Sequence, residues 1–353
     1  MLGLGLLGAL AVGYLVILYP DERGGGRGTV VLSLEPGADL RAIADQLGRE
    51  RVLPHPRTFE WYARVLRADA RLKRGRILVT RSMSARELLQ RIATGYGSAP
   101  VKITIPEGWN RFEIASRLAE WGVCAADAFQ QAASDPAVLA TLGPNATSAE
   151  GFFFPDTYWL LDGMAAREVV DRLLENGRKR WAGLRAEEAA GLQQLEQEFG
   201  FGVYEIVTLA SIVEKEAHMR SEQPLIAGVF LNRLRDPAFR PKRLQADPTV
   251  AYGCLLMREL ASCASFDGKR VTRVMTADPD NAYNTYRREG LPPGPIANPG
   301  LSALRAVLRP AAHGYFYFVA QGGGRHAFTA TLKAHSEAVQ RAGLANSATE
   351  SGR

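Results

Sequence analysis

The chain has 353 residues, 46% of them hydrophobic and 23% charged, with a net charge of +6. That length leaves room for two or three domains with buried cores, and that composition excludes a largely disordered chain. No run of five Lys or Arg occurs, so a nucleic-acid partner has no footprint here; the mild basic excess suits anionic lipids or acidic wall polymers, and equally an ordinary solvated surface.

Residues 1–19, from Met1 to Tyr19, carry no charge. As a helix they would rise about 28 Å, close to the thickness of a bilayer's hydrocarbon core. A cleaved signal peptide is the alternative, but its basic opening stretch is missing and Ala9-Leu10-Ala11 lies too early for a cleavage site. We read 1–19 as a transmembrane anchor and 20–28, with Gly24-Gly25-Gly26, as a flexible linker. Arg23 and Arg27 follow the span and no Lys or Arg precedes it, so charge alone would leave the body in the cytoplasm.

Alternating apolar runs at Val30–Leu34 and Val101–Ile105 predict strands. Glu35-Pro36-Gly37 and Pro106-Glu107-Gly108 follow them as turns. Then come helical patterns through Leu40, Ile43, Ala44 and Leu47, and through Phe112, Ile114, Ala115 and Leu118. Two small strand–turn–helix units of this kind are similar to the glycan-binding LysM type; they are also read as plain αβ units, because shape alone carries no ligand. We place a LysM-like αβ region at 29–100 and a second αβ unit at 101–165, leading into a larger domain at 166–344 and a flexible tail at 345–353. The aromatic run Phe152-Phe153-Phe154, with Tyr158 and Trp159, is expected as core or as a surface for stacking sugar rings. Residues 166–199 read as charged, solvated helices.

The helix expected over Val203–His218 carries an apolar stripe through Ile206, Val207, Leu209, Ala210, Ile212 and Val213, and closes on Glu214-Lys215-Glu216. At ~100° per residue Lys215 points away from the stripe, while Glu214 and Glu216 sit on opposite flanks, about 160° apart. Glu216 lies about 70° from the stripe centre and Glu214 about 90°, which favours Glu216 as the more buried. A half-buried Glu keeps its proton to higher pH and can protonate a glycosidic oxygen; the alternative is a surface Glu paired with a neighbouring base.

Several separate motifs occur in one order: Leu209-Ala210-Ser211-Ile212-Val213-Glu214-Lys215-Glu216, Leu244-Gln245-Ala246-Asp247-Pro248-Thr249-Val250, Tyr252-Gly253, Ala282-Tyr283-Asn284-Thr285-Tyr286, Gly290 to Gly300, Tyr315 to Val319, and His326-Ala327-Phe328, with Glu150-Gly151 and Phe154 to Tyr158 upstream. In this the chain resembles the endolytic murein transglycosylases, the MltG/YceG-like family, over nearly its whole length after the linker. The resemblance implies one membrane span, a LysM-like region and a catalytic domain outside the cytoplasmic membrane, against the charge rule. It implies that Glu216 is the catalytic residue and that peptidoglycan strands are cut between N-acetylmuramic acid and N-acetylglucosamine, leaving 1,6-anhydro ends and terminating glycan elongation. Implied partners are glycan strands, the inner membrane through residues 1–19, and peptidoglycan synthases. Ala246 departs from the family's small hydroxyl residue, so a polar contact in the cleft is expected to be absent. The stretch from Cys254 to Asp278 departs too, leaving its path open.

Asn232, Gln245, Asp247, Thr249, Tyr252, Asn284 and Tyr286 are the candidate substrate-binding residues, by hydrogen bonding and stacking. Asp247 precedes Pro248 and is equally read as a turn residue. Two other functions stay open: a two-carboxylate muramidase using Asp247, and a non-catalytic wall-binding anchor. No metal or cofactor is expected: the five His form no H-E-x-x-H, and Gly322-Gly323-Gly324 lies between strand-like runs as a hairpin turn, not before a helix. Cys254 and Cys263 are close enough to bridge in an oxidising compartment, with Cys124 left free. The expected fold class is α+β: an N-terminal transmembrane helix, a small LysM-like αβ region and a mixed α+β catalytic domain.

Overall fold

Val30, Leu32 and Leu34 are buried while Val31 and Ser33 face solvent, the period-two pattern of a strand with one wet face. They form β1 (Thr29–Leu34) in a computed structural model that describes residues 13–14, 19–23, 29–34, 39–68, 75–94, 100–161 and 163–350. The helices α1 (Leu40–Arg49) and α2 (Pro56–Val65) follow, and β2 (Gly75–Thr80) returns antiparallel to β1, with Val30 opposite Val79 and Leu32 opposite Ile77. Asp39 caps α1 by accepting from the Ala42 amide at 2.8 Å, and Pro56 opens α2 where its missing N–H costs nothing. α3 (Ala85–Thr94) completes a core of Leu32, Ile43, Leu47, Phe59, Ile77, Leu88 and Ile92. The expected strand–turn–helix is therefore half of a larger strand–helix–helix–strand unit.

That unit begins before the expected linker ends. The anchor proposed for residues 1–19 falls almost wholly outside the described residues, among which no helix is long and apolar enough to cross a membrane. Tyr19, taken from sequence as the last residue of the span, is 1% exposed. Its ring meets Tyr62 edge-on at 5.7 Å and its hydroxyl donates to the His55 carbonyl at 3.2 Å. Arg23, assigned to the linker, makes an isolated β-bridge with Ser84.

Next in the chain come β3 (Pro100–Thr104), α4 (Arg111–Glu120), α5 (Ala126–Ala133), the short α6 (Pro136–Leu139) and β4 (Thr157–Leu161), with β4 the partner of β3. The chain divides into two compact units: residues to 103 with 119–124 and 158–165, and the remainder. In the second unit α7 (Ala166–Glu187) and α8 (Ala189–Phe199) are amphipathic: α7 buries Val169, Val170, Leu173, Leu174 and Leu184 and turns its charges outward. At the centre lies α9 (Val203–Glu216), with Ile206, Leu209, Ala210, Ile212 and Val213 fully buried. It packs against α10 (Gln223–Arg235) and α13 (Leu301–Leu308). Between these in the chain come α11 (Asp247–Leu256) and α12 (Arg273–Ala277), which share a small packed cluster of Val250, Cys254, Cys263 and Met275 that contains the Cys254–Cys263 disulfide. The hairpin β5 (Tyr317–Gly322) and β6 (Arg325–Thr329) turns at Gly322, Gly323 and Gly324, all at positive φ, where side chains would be strained. The last helix, α14 (Leu332–Glu350), runs past residue 344, where the sequence suggests a loose tail.

Candidate active site

The last turn of α9 carries the Glu-Lys-Glu run. Lys215 is exposed and reaches the Gly108 carbonyl at 3.2 Å, as its place opposite the stripe requires. Glu214 and Glu216 are both half-buried and diverge. Glu214 accepts from the Gly300 amide at 3.1 Å and lies near Glu107, itself paired with Arg220 at 2.5 Å. Burial raises its pKa, the Glu107 charge adds to that, and the Gly300 bond opposes it.

Glu216 faces Asp247, at the first position of α11, and Arg233, near the end of α10. Among the described residues its carboxyl receives no hydrogen bond and no ion pair. Burial pushes its pKa up to about 8, the Asp247 charge adds to the rise, and Arg233 opposes it. At neutral pH this carboxyl is largely protonated, with no neighbour holding the proton.

Arg233 is 5% exposed and is fixed through the Phe316 carbonyl at 2.7 Å, through the Leu244 carbonyl, and over the rings of Phe230, Phe239 and Tyr317. It is a rigid positive charge on the Glu216 side; burial lowers its pKa to about 10, still well above neutrality. Tyr286 donates its hydroxyl to Asp247 Oδ1 at 2.7 Å and feels both Glu216 and Arg233. The phenol is held protonated chiefly by burial and then by Asp247. Sequence reasoning missed Arg233. The available signal was one charge in a stretch, Ile226 to Leu234, that is apolar apart from Asn232.

The other candidate substrate-binding residues are placed differently. Asn284 is fully buried, its amide donating to the carbonyls of Met275, Thr276 and Asp278 and its oxygen accepting from the Tyr286 amide, so it shapes the loop and has no free donor for a sugar. Thr249 is buried against Ala246 and Thr285, and Tyr252 donates to Glu150 in the core. Asn232 holds the carbonyls of His313 and Tyr315 and lines a separate cavity of ≈ 810 Å³ with Glu198 and Arg235. Gln245 is exposed at φ 53° beside Asp247. The structure thus gathers Glu216, Asp247, Tyr286 and Arg233, and assigns Asn232, Thr249, Tyr252 and Asn284 to holding the frame. Ala246 is the residue before α11, where a hydroxyl would cap the helix, so its departure removes a cap instead of a cleft contact.

A second buried carboxyl organises the unit. Glu150 is 2% exposed and accepts from the Arg111 amide at 2.9 Å, the Tyr252 hydroxyl at 2.9 Å and Asn298 Nδ2 at 2.8 Å. It thereby ties the start of α4, helix α11 and the Pro-rich loop together. The loop is pinned over α9 where Ser211 Oγ accepts from the Ile296 amide at 3.0 Å. Desolvation pushes the Glu150 pKa up to about 7 despite these donors. The aromatic run divides: Phe153 and Tyr158 are buried, with Phe153 packed on Phe129 at 5.1 Å, the half-buried Phe152 stacks on Tyr204 at 6.0 Å, and Trp159 is 61% exposed.

Residues 32–341 match the model of the YceG-like family. The chain belongs to that family. It is similar to the endolytic murein transglycosylase of Bacillus subtilis, 27% identical over 92% of this chain and 88% of the relative. The endolytic murein transglycosylase of Streptococcus pneumoniae is also 27% identical, over 82% of this chain, which spans 54% of that longer relative. A yceG-like protein of Listeria monocytogenes has a crystal structure that superimposes with a TM-score of 0.56 at 25% identity, covering 88% of this chain and 99% of that one.

Proposed function

We propose that the chain is an endolytic murein transglycosylase in which Glu216 is the catalytic acid and then the catalytic base. The observation that carries this is a half-buried carboxyl with its pKa near 8 and no donor or cation engaging it among the described residues. Family membership and two relatives of that activity support it. Glu216 gives its proton to the oxygen leaving C1 of N-acetylmuramic acid as the glycosidic bond breaks. The carboxylate so formed takes the proton of the 6-hydroxyl on the same sugar, and that oxygen closes onto C1. One carboxyl serves twice, no water is consumed, and the product ends are 1,6-anhydro sugars.

Asp247 supports the positive charge that builds at C1, held in place by Tyr286, while fixed Arg233 steadies the transient Glu216 carboxylate. The strand–helix–helix–strand unit of β1 to β2 fits a LysM-like glycan contact, and the uncharged residues before Tyr19 fit an inner-membrane anchor with the catalytic unit in the periplasm, beside peptidoglycan synthases. The bridged Cys254–Cys263 pair supports that oxidising location.

Mass spectrometry of digested glycan is the test. Anhydro ends, lighter than hydrolysed ends by one water, are expected. Hydrated reducing ends would instead make the protein a muramidase with Asp247 as a second catalytic carboxylate. No cleavage by the folded protein would leave a wall-binding anchor.

A further inference from the structure

Hairpin β5–β6 turns one face toward α10. Phe318 and Phe328 stand opposite one another in its register, and His326 stands two residues before Phe328, so the three share that face. Their rings are close: Phe318 lies 5.4 Å from His326, 6.2 Å from Phe328 and, edge-on, 5.8 Å from Phe230 of α10. A two-stranded hairpin is marginal by itself, so its place is set by what it is tied to.

At the start of α10 that tie is Glu222, the residue before the helix. Its carboxyl meets His326 twice: Oε1 accepts from the backbone amide at 3.1 Å, and Oε2 lies 2.7 Å from ring Nδ1. The two side chains are only 13% and 7% exposed, so solvent screens the pair little. Near the other end of α10 the hairpin strand reaches the site. It supplies the Phe316 carbonyl, 2.7 Å from Arg233 Nε, and the Tyr317 ring, 5.6 Å from the guanidinium carbon. Glu222 and Arg233 are about 16 Å apart along the helix, with Phe230 between them, so the hairpin spans α10 from its start to the arginine beside Glu216.

We propose that the Glu222–His326 pair is a latch that positions Arg233 beside Glu216: by fixing the hairpin at the start of α10, it fixes the Phe316 carbonyl and the Tyr317 ring that hold the guanidinium. Glu222 and His326 are thus positioning residues that act through Arg233. Their effect on cleavage rests on reading Glu216 as the catalytic carboxyl.

The test titrates the Glu216 carboxyl by carbon-13 NMR in the full chain, its signal assigned with Glu216→Gln, and measures glycan cleavage alongside. Asp247 from α11, Tyr286 from its loop and Arg233 from α10 face Glu216, and of these Arg233 is the one that lowers its pKa. Glu222→Ala should free Arg233, raise the Glu216 pKa by about half a unit and lower kcat roughly tenfold with KM nearly unchanged. Glu222→Gln should restore both, because its oxygen can accept from the His326 amide while its nitrogen donates to Nδ1 of the other ring tautomer. The sign separates positioning from direct charge: removing an anion that acted on Glu216 itself would lower the pKa. A downward shift, or none, overturns the latch. Should Glu222→Ala not fold, Glu222→Asp keeps the charge but is one methylene too short for both contacts, and a smaller upward shift is then required. A protein that titrates as expected yet cuts no glycan overturns the catalytic reading and leaves the latch standing.

Discussion

Glu150 and Glu216 are two carboxyls of one unit that burial raises alike, to about 7 and about 8, yet they differ in what surrounds them. Glu150 is engaged by the Arg111 amide, Tyr252 and Asn298, so its lone pairs are committed to holding α4, α11 and the Pro-rich loop. Glu216 has no such donor among the described residues, only charges at a distance. Burial makes a carboxyl basic; the absence of engaged partners makes it available. Glu214 is intermediate, half-buried and raised, but with a backbone donor from Gly300.

The sharpest way to break this comparison is to exchange amide for acid. Glu216→Gln should lower cleavage by about a thousandfold, since the amide cannot transfer the proton, while Glu214→Gln keeps most activity. The variant should also gain stability at alkaline pH. Glu216 has a folded pKa near 8 against an ordinary 4.5, so the unfolded chain releases the proton more readily between those values and wild-type stability falls as pH rises through them. Gln has no such loss. Melting curves at pH 5 and pH 8 should therefore nearly coincide for the two proteins at the acid end and separate at the alkaline end. Equal melting at both pH values would remove burial as the cause of the raised pKa.

Glu150→Ala should do the reverse, costing stability first. It leaves the Arg111 amide, Tyr252 and Asn298 without their acceptor inside the core, a loss of about 3 kcal/mol in denaturant unfolding. A variant of unchanged stability but no activity would move Glu150 from frame to chemistry.

Asp247→Asn tests the distant charges. Removing that anion takes away one cause of the raised Glu216 pKa, so the alkaline limb of the rate profile should move to lower pH. The rate at its optimum should fall roughly fivefold, about 1 kcal/mol, for an exposed charge acting through solvent. A limb that stays in place would show that Asp247 does not reach Glu216.

The smallest effect concerns the missing cap. Ala246→Ser should stabilise α11 by roughly 0.5–1 kcal/mol without altering the pH profile. A change in the profile with no gain in melting temperature would return position 246 to the cleft.

The sequence by itself determined the local periods and which residues share a helix flank. The strands at 30–34 and 101–105, helix α9 with Lys215 turned outward and Glu214 and Glu216 diverging, the Gly322–Gly324 hairpin and the Cys254–Cys263 bridge were all legible, because each follows from spacing along a few neighbouring residues. Partnership between distant residues was not legible. That Asn284, Thr249 and Tyr252 serve the frame while Arg233 joins Glu216 depends on which buried groups happen to face one another, and hydrogen-bond satisfaction in a core is settled only by packing. For the same reason Tyr19 read as the end of an apolar span, yet the tertiary structure buries it against Tyr62: an apolar residue carries no record of which apolar surface will cover it.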